Sequence, residues 1–229
     1  MVGSETYRYQ VYVPPQWNKK QAWPVILFLH GGGERGDDGV VQTQVGLGGG
    51  IRTHIERWPA IVVMPQCRKD TWWSSNPRME AQALAALDRS IKEFHGDPKR
   101  VYLSGLSMGG YGSWAYGSKH AGKFAAMVVV CGGIKVPESI RSGFPNVAES
   151  ADPYSDVAAK IGKTPVWIFH GGADPVVPVV ESQKMNDALK AAGGNVRYTE
   201  YPGVNHNSWD KAYGEPELPK WLFALSLTK

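Results

Sequence analysis

Apolar positions along this chain follow two rhythms that alternate. Residues 5–13, ETYRYQVYV, put aromatic and β-branched side chains at every second position until Pro14-Pro15 ends the run, which predicts a first strand of antiparallel type. The later runs are continuous instead: Pro24–His30 (PVILFLH), Ile61–Met64 (IVVM), Val101–Leu103, Phe124–Val130 and Pro165–Phe169 (PVWIF), with Val196–Tyr201 as a last, more polar strand. A strand that is apolar at every position is buried on both faces, as strands of parallel sheets are.

Between these runs the period lengthens. Pro77–His95 carries Met79, Ala83, Leu84, Leu87, Ile91 and Phe94 at helical spacing, and Gly96-Asp97-Pro98 stops it. Tyr111–Lys119, Val179–Ala192 and Leu218–Leu227 read as further helices. Residues 37–58 and 132–164 are Gly-, Pro- or Ser-rich connections with room for a short helix each. Strands alternating with helices imply an α/β fold, a mostly parallel sheet covered on both faces, whose ligands bind outside the carboxyl ends of the strands. With 229 residues, 42% of them hydrophobic, the chain is long enough for one well-buried unit, so residues 1–229 are expected to form a single domain.

Charge adds little to this picture. The 25 basic residues are scattered among 21 acidic ones, and the only short clusters are Lys19-Lys20 and Lys99-Arg100, which argues against a nucleic-acid partner. No apolar run is long enough to span a bilayer, and the first residues lack a charged-then-apolar leader pattern. The expectation is a soluble protein, cytoplasmic, or secreted if a leader has been removed. Cys67 and Cys131 each follow an apolar run and read as small buried residues at strand ends rather than a disulfide framework. No two His and Cys residues stand at ligand spacing, so no metal centre is expected.

The chemistry concentrates at residues 101–112, VYLSGLSMGGYG, where a strand breaks at Gly105 and sets Ser107 between Gly105 and Gly109. In G-x-S-x-G the serine occupies a strained turn between strand and helix, so the positions two before and two after it must be nearly free of side chain. A serine hydroxyl needs a base, and the base needs an orienting carboxylate, in chain order Ser, Asp or Glu, His. Of six histidines, His30 and His170 end strands and read as buried residues that tie loops together. His54, His95 and His120 precede or barely follow the serine. His206, in GVNHNSW after the last strand, is the expected base. Asp174, in HGGADPVVP after PVWIF, is the expected carboxylate, with Asp152, Asp156 and Asp210 as rivals. The amide of Met108 and one from Gly32, with Gly33 behind it, are the expected oxyanion donors. Trp72, Trp73 and Trp209 fall on loops that should border the site and are expected to contact substrate.

Taken together, LHGGGERG (29–36), MPQC (64–67), GLSMGG (105–110), HGGAD (170–174) and NHNSW (205–209) resemble the α/β-hydrolase superfamily over nearly the whole chain from residue 5. Within it the chain looks most like small esterases of phospholipase/carboxylesterase-like or peptidase-like type, related to feruloyl esterases and polyhydroxybutyrate depolymerases. The resemblance implies an eight-stranded sheet with one antiparallel strand, a triad of Ser107, Asp174 and His206, no metal and no cofactor. It implies a serine carboxylesterase with a small-molecule ester as its partner. Residues 132–164 are too short for the large helical lid of many lipases. A peptidase, amidase or thioesterase on the same fold is the alternative, and a hydrolase-fold binding protein without turnover is the rival from another class. Gly31–Gly36 also spell G-x-G-x-x-G after a strand, but Glu34-Arg35-Gly36-Asp37-Asp38 opens no clear helix for a pyrophosphate, which disfavours a nicotinamide-dependent oxidoreductase.

Overall fold

A computed structural model of the chain describes residues 6–140 and 144–228. Glu5, with which the first predicted strand opens, lies outside them. The strands are β1 (Tyr9–Tyr12), β2 (Trp23–Leu29), β3 (Ile61–Pro65), β4 (Gly96–Leu106), β5 (Ala126–Val130), β6 (Val166–Gly171) and β7 (Val196–Tyr201). The helices are α1 (Leu47–Thr53), α2 (Pro77–Glu93), α3 (Met108–Lys119), α4 (Pro153–Ile161), α5 (Val180–Ala191), α6 (Trp209–Gly214) and α7 (Glu217–Phe223).

The strands form one sheet in the order β1-β3-β2-β4-β5-β6-β7, with β1 antiparallel to β3 and every other pairing parallel. Among the described residues the sheet therefore has seven strands where the resemblance implies eight. The helix read over Pro77–His95 stops ahead of Gly96-Asp97-Pro98, since α2 ends at Glu93, and Gly96 opens β4 as well. His95 has φ 58° and accepts a hydrogen bond from Trp23 N–H, so the chain passes straight from α2 into β4, with a register shift between Trp23 and Val25.

The continuous apolar strands are explained by two cores. Val25, Leu27, Leu29, Leu103 and Ile168 point to one face, where residues of α2, α3, α4 and α5 cover them. Ile26, Phe28, Tyr102 and Phe169 point to the other, under α1, α6 and α7. Each fully buried Leu, Ile or Phe contributes about 1.5–3 kcal/mol relative to exposure, which pins these inner strands to their register. The strand order reverses between β2 and β4, because the chain runs from β2 outward to β3 and then returns to the other side. Such a switch point leaves a crevice at the carboxyl ends of the two strands. Residues 30–36 follow β2, Ser107 follows β4, Asp174 follows β6 and His206 follows β7, so all four converge at that edge. Among the described residues no large lid is inserted over it. Among the described residues no helix is long and apolar enough to cross a membrane.

Candidate active site

Ser107 has φ 50° and ψ −119°, a left-handed conformation that costs a non-glycine residue about 1–3 kcal/mol. The surroundings hold it there. Its N–H donates to Val130 O at 2.9 Å, and its carbonyl accepts from the Gly110 and Tyr111 amides at 2.8 and 3.1 Å as α3 begins. The flanking glycines are steric necessities: a Cβ at Gly105 would collide with the backbone oxygen of Gly109, and one at Gly109 with that of Leu29. The elbow therefore presses the first turn of α3 against the ends of β2 and β4.

At this edge His206 Nε2 lies 2.9 Å from Ser107 Oγ, and His206 Nδ1 lies 2.7 Å from Asp174 Oδ2. The Asp174 carboxylate is fully buried, while the imidazole is 19% exposed. Burial by itself would raise the carboxyl, but hydrogen bonds from His170, His206 and the Val176 and Val177 amides outweigh it and hold Asp174 well below the usual carboxylate range. It is therefore an anion with four donors. An imidazole facing that anion on one side carries its proton on Nδ1 and leaves Nε2 free to accept the hydroxyl proton of Ser107. The rival carboxylates are occupied elsewhere: Asp152 caps α4 through Ser155 N–H, Asp210 accepts from Asn207, and Asp156 is exposed. His120 bonds Glu80 at 2.7 Å, and His54 sits 3.8 Å from Glu56.

Cys131 lies beneath this chain of groups. Its Sγ, one Asp174 oxygen and one His206 nitrogen fall within 4.8 Å of one another, a grouping that spacing along the sequence could not reveal. Asp174 and His206 are bonded to each other, and burial pushes the Cys131 thiol up to about 12, so it stays a neutral thiol. Cys67 is likewise free, buried and pushed up to about 12 by burial.

The loop after β2 is built around His30. Cys67 N–H donates to His30 Nε2 at 2.9 Å, which leaves the imidazole proton on Nδ1, where it donates to Gly31 O at 2.6 Å. Burial pushes this imidazole down to about 4, against the opposing bond to Gly31, so it is neutral. Holding the Gly31 carbonyl toward His30 turns the N–H of the same trans peptide, that of Gly32, the opposite way. A Cβ on Gly32 or Gly33 would meet nothing within 4 Å, so open space lies over this loop. Across it, α3 starts at Met108 with no side-chain cap, so its first amide is left to receive an anion while those of Gly110 and Tyr111 are taken by Ser107 O. Gln66 and Cys67 at the end of β3 fasten the loop further, through Glu34 O and Gly36 N–H.

The three tryptophans divide. Trp73 is fully buried, donates to His30 O at 3.0 Å and meets the His30 ring edge-on, so it supports the loop from below and presents no face to a substrate. That corrects its expected place as a wall of the site. Loop position suggested exposure, but His30 and Gly112 close over the ring. Trp72 is only 6% exposed, stacked on Phe144 with ring centroids 4.2 Å apart and tilted against Tyr111. Trp209 is half-buried and packs perpendicular to the His206 ring at 5.5 Å. Trp73→Ala is expected to cost about 3–5 kcal/mol of stability by leaving a cavity under the loop, which a denaturant titration will read. Sequence reasoning missed the aromatic layer formed by Tyr111, Trp72 and Phe144, with the Arg35 guanidinium 5.8 Å from the Phe144 ring. Its members are far apart in the chain, and no local pattern links them.

The sheet order and the strained serine at the switch point, with no large lid inserted among the described residues, define an α/β-hydrolase fold of esterase type, a serine-hydrolase fold related to carboxylesterases, peptidases and thioesterases. Residues 79–222 match the sequence profile of the prolyl oligopeptidase family, and the chain belongs to that family. A thermostable esterase of known structure is 32% identical with a TM-score of 0.77, over 95% of this chain and 59% of that one. A ferulic acid esterase superposes with a TM-score of 0.69 at 19% identity, over 94% of this chain and 92% of that one, a likeness of fold. Acyl-protein thioesterase 1 of Gibberella zeae is 27% identical over 120 residues, 52% of this chain and 46% of that protein, so the match spans less than half of that relative.

Proposed function

We propose that the protein is a serine carboxylesterase that works through an acyl-enzyme on short-chain or aromatic esters, hydroxycinnamoyl esters among them. The observation that carries this reading is the unbroken run of hydrogen bonds from Asp174 through His206 to Ser107 on a strained turn. Ser107 Oγ attacks the ester carbonyl carbon as its proton passes to His206 Nε2, and Asp174 steadies the imidazolium. The Met108 and Gly32 amides take the charge on the carbonyl oxygen, with Gly33 beside them. Collapse expels the alcohol, which recovers the proton from His206. A water activated by the same imidazole then releases the acid.

The acyl preference rests on two half-buried rings, Phe144, stacked on the buried Trp72 and Tyr111 layer, and Trp209, packed against His206. Rings stack on rings, whereas a long flexible chain needs a long apolar tunnel. The match to the prolyl oligopeptidase family favours amide bonds as a second reading. A kinetic panel of acyl esters of rising length, methyl ferulate and a peptide amide separates the two. Highest kcat/KM on short or aromatic esters is expected. Rates that climb toward long acyl chains with no turnover of aromatic esters would sink the acyl preference, and faster cleavage of the amide than of every ester would move the protein to the second reading.

A further inference from the structure

His170 is fully buried in β6 and belongs to the same hydrogen-bonded system from its far side. Its Nε2 lies 3.1 Å from Asp174 Oδ2 and 3.0 Å from Val177 O. Both are acceptors, so Nε2 carries the proton and shares it between them. Nδ1 lies 2.7 Å from Ser182 Oγ, in the first turns of α5, and Ser182 is itself fully buried. With Nδ1 left as a lone pair, the Ser182 hydroxyl is the donor. Every hydrogen from Ser182 to Ser107 then has one place: Ser182 to His170, His170 to Asp174, His206 to Asp174, Ser107 to His206.

The oxygen that holds His206 is thus the oxygen that His170 holds. Oδ1 of Asp174 takes the Val176 and Val177 amides at 2.8 and 3.0 Å, and Oδ2 takes both imidazoles. A carboxylate oxygen offers two in-plane lone pairs. With one directed at His170, the other points at His206, and the carboxylate plane cannot turn without breaking bonds on both of its oxygens. His170 also draws part of the carboxylate charge away from His206. The titratable groups facing His170 are Asp174 and, beside it in the sheet register, Glu200 of β7; those facing His206 are Asp174 and the Cys131 thiol.

Building on the proposed serine-esterase reading, we infer that His170, with its proton fixed by Ser182, is a positioning residue that sets the direction and the strength of the Asp174 bond to His206. A role confined to tying β6 to the Val177 loop would affect stability alone. A positioning role affects kcat and the acid limb of the kcat/KM profile.

The test compares His170→Leu, His170→Gln and Ser182→Ala with the intact chain, using an aryl acetate ester. His170→Leu is expected to lower kcat by on the order of ten- to hundredfold, the loss of one hydrogen bond to a charged group, with KM nearly unchanged. Its acid limb should move to higher pH, because the carboxylate charge is no longer shared and favours the imidazolium. His170→Gln keeps an N–H donor and should recover most of the rate. Ser182→Ala, which frees the tautomer, should move both readouts the same way by a smaller factor. If His170→Leu does not fold, Ser182→Ala and His170→Gln decide. Wild-type kcat with an unmoved acid limb in the folded variants overturns the positioning role. Labelling with a fluorophosphonate keeps the two readings apart: an intact chain labelled at Ser107 with no effect of the variants refutes His170 alone, whereas failure to label Ser107 refutes the serine reading and this inference with it.

Discussion

Turnover of an aryl ester by Ser107→Ala is expected to fall by about a millionfold, with the fold unchanged. The size follows from what is removed. Without Oγ there is no atom for His206 to activate and none to carry the acyl group, so residual rate can come only from water and from the anion-binding amides. The fold should survive because the hydroxyl contributes one hydrogen bond, to His206, while the strained φ of 50° is held by backbone bonds to Val130, Gly110 and Tyr111. Equal denaturation midpoints beside the lost rate would show that the chemistry alone was removed. A folded variant with near-wild-type activity would end the serine reading.

Asp174→Asn is expected to cost on the order of ten thousandfold, and the hydrogen-bond pattern says why. All four of its partners are donors: two backbone amides on Oδ1 and two imidazoles on Oδ2. An asparagine must turn its NH2 toward one pair. The Val176 and Val177 amides cannot reverse their polarity, whereas an imidazole can shift its proton, so the NH2 is driven to the Oδ2 side. His206 then accepts at Nδ1 and carries its proton on Nε2, where it can no longer receive the one from Ser107. The comparison is kcat/KM of the two chains with their stabilities measured alongside. The same loss in Asp152→Asn, with Asp174→Asn active, would overturn the carboxylate assignment.

Much of this architecture was legible along the chain, for local reasons. Apolar runs such as PVILFLH must be buried on both faces, so a parallel sheet between two helical layers follows from composition run by run. Gly105 and Gly109 around Ser107 announce an elbow because the steric demand acts over two residues. The elements read less well are those whose limits are set from outside. Gly96-Asp97-Pro98 has the composition of a stop and α2 ends ahead of it, while pairing with Trp23 also draws Gly96 into β4. The short helix α6, directly after His206, has too few residues for its period to stand out, and it forms where Ala212 and Tyr213 are buried against the sheet.

The site divides in the same way. Residue type and chain order nominate Ser107, Asp174 and His206 as a set, since the chemistry of an activated serine asks for those groups in that order. Contacts across 99 and 32 residues bring them within hydrogen-bond reach, and no local pattern encodes such distances. Trp73 looked like a wall of the cleft and proved to be a prop beneath it, because exposure of a ring on a loop depends on what packs over it. His170 looked like a bystander at a strand end. Its importance comes from sharing one carboxylate oxygen with His206, a residue on another loop, and the sharing exists because β6 and β7 lie side by side in the sheet. Local physics selects the strands, the turn and the reactive residue types, while the direction of each proton depends on which groups the packed sheet sets face to face.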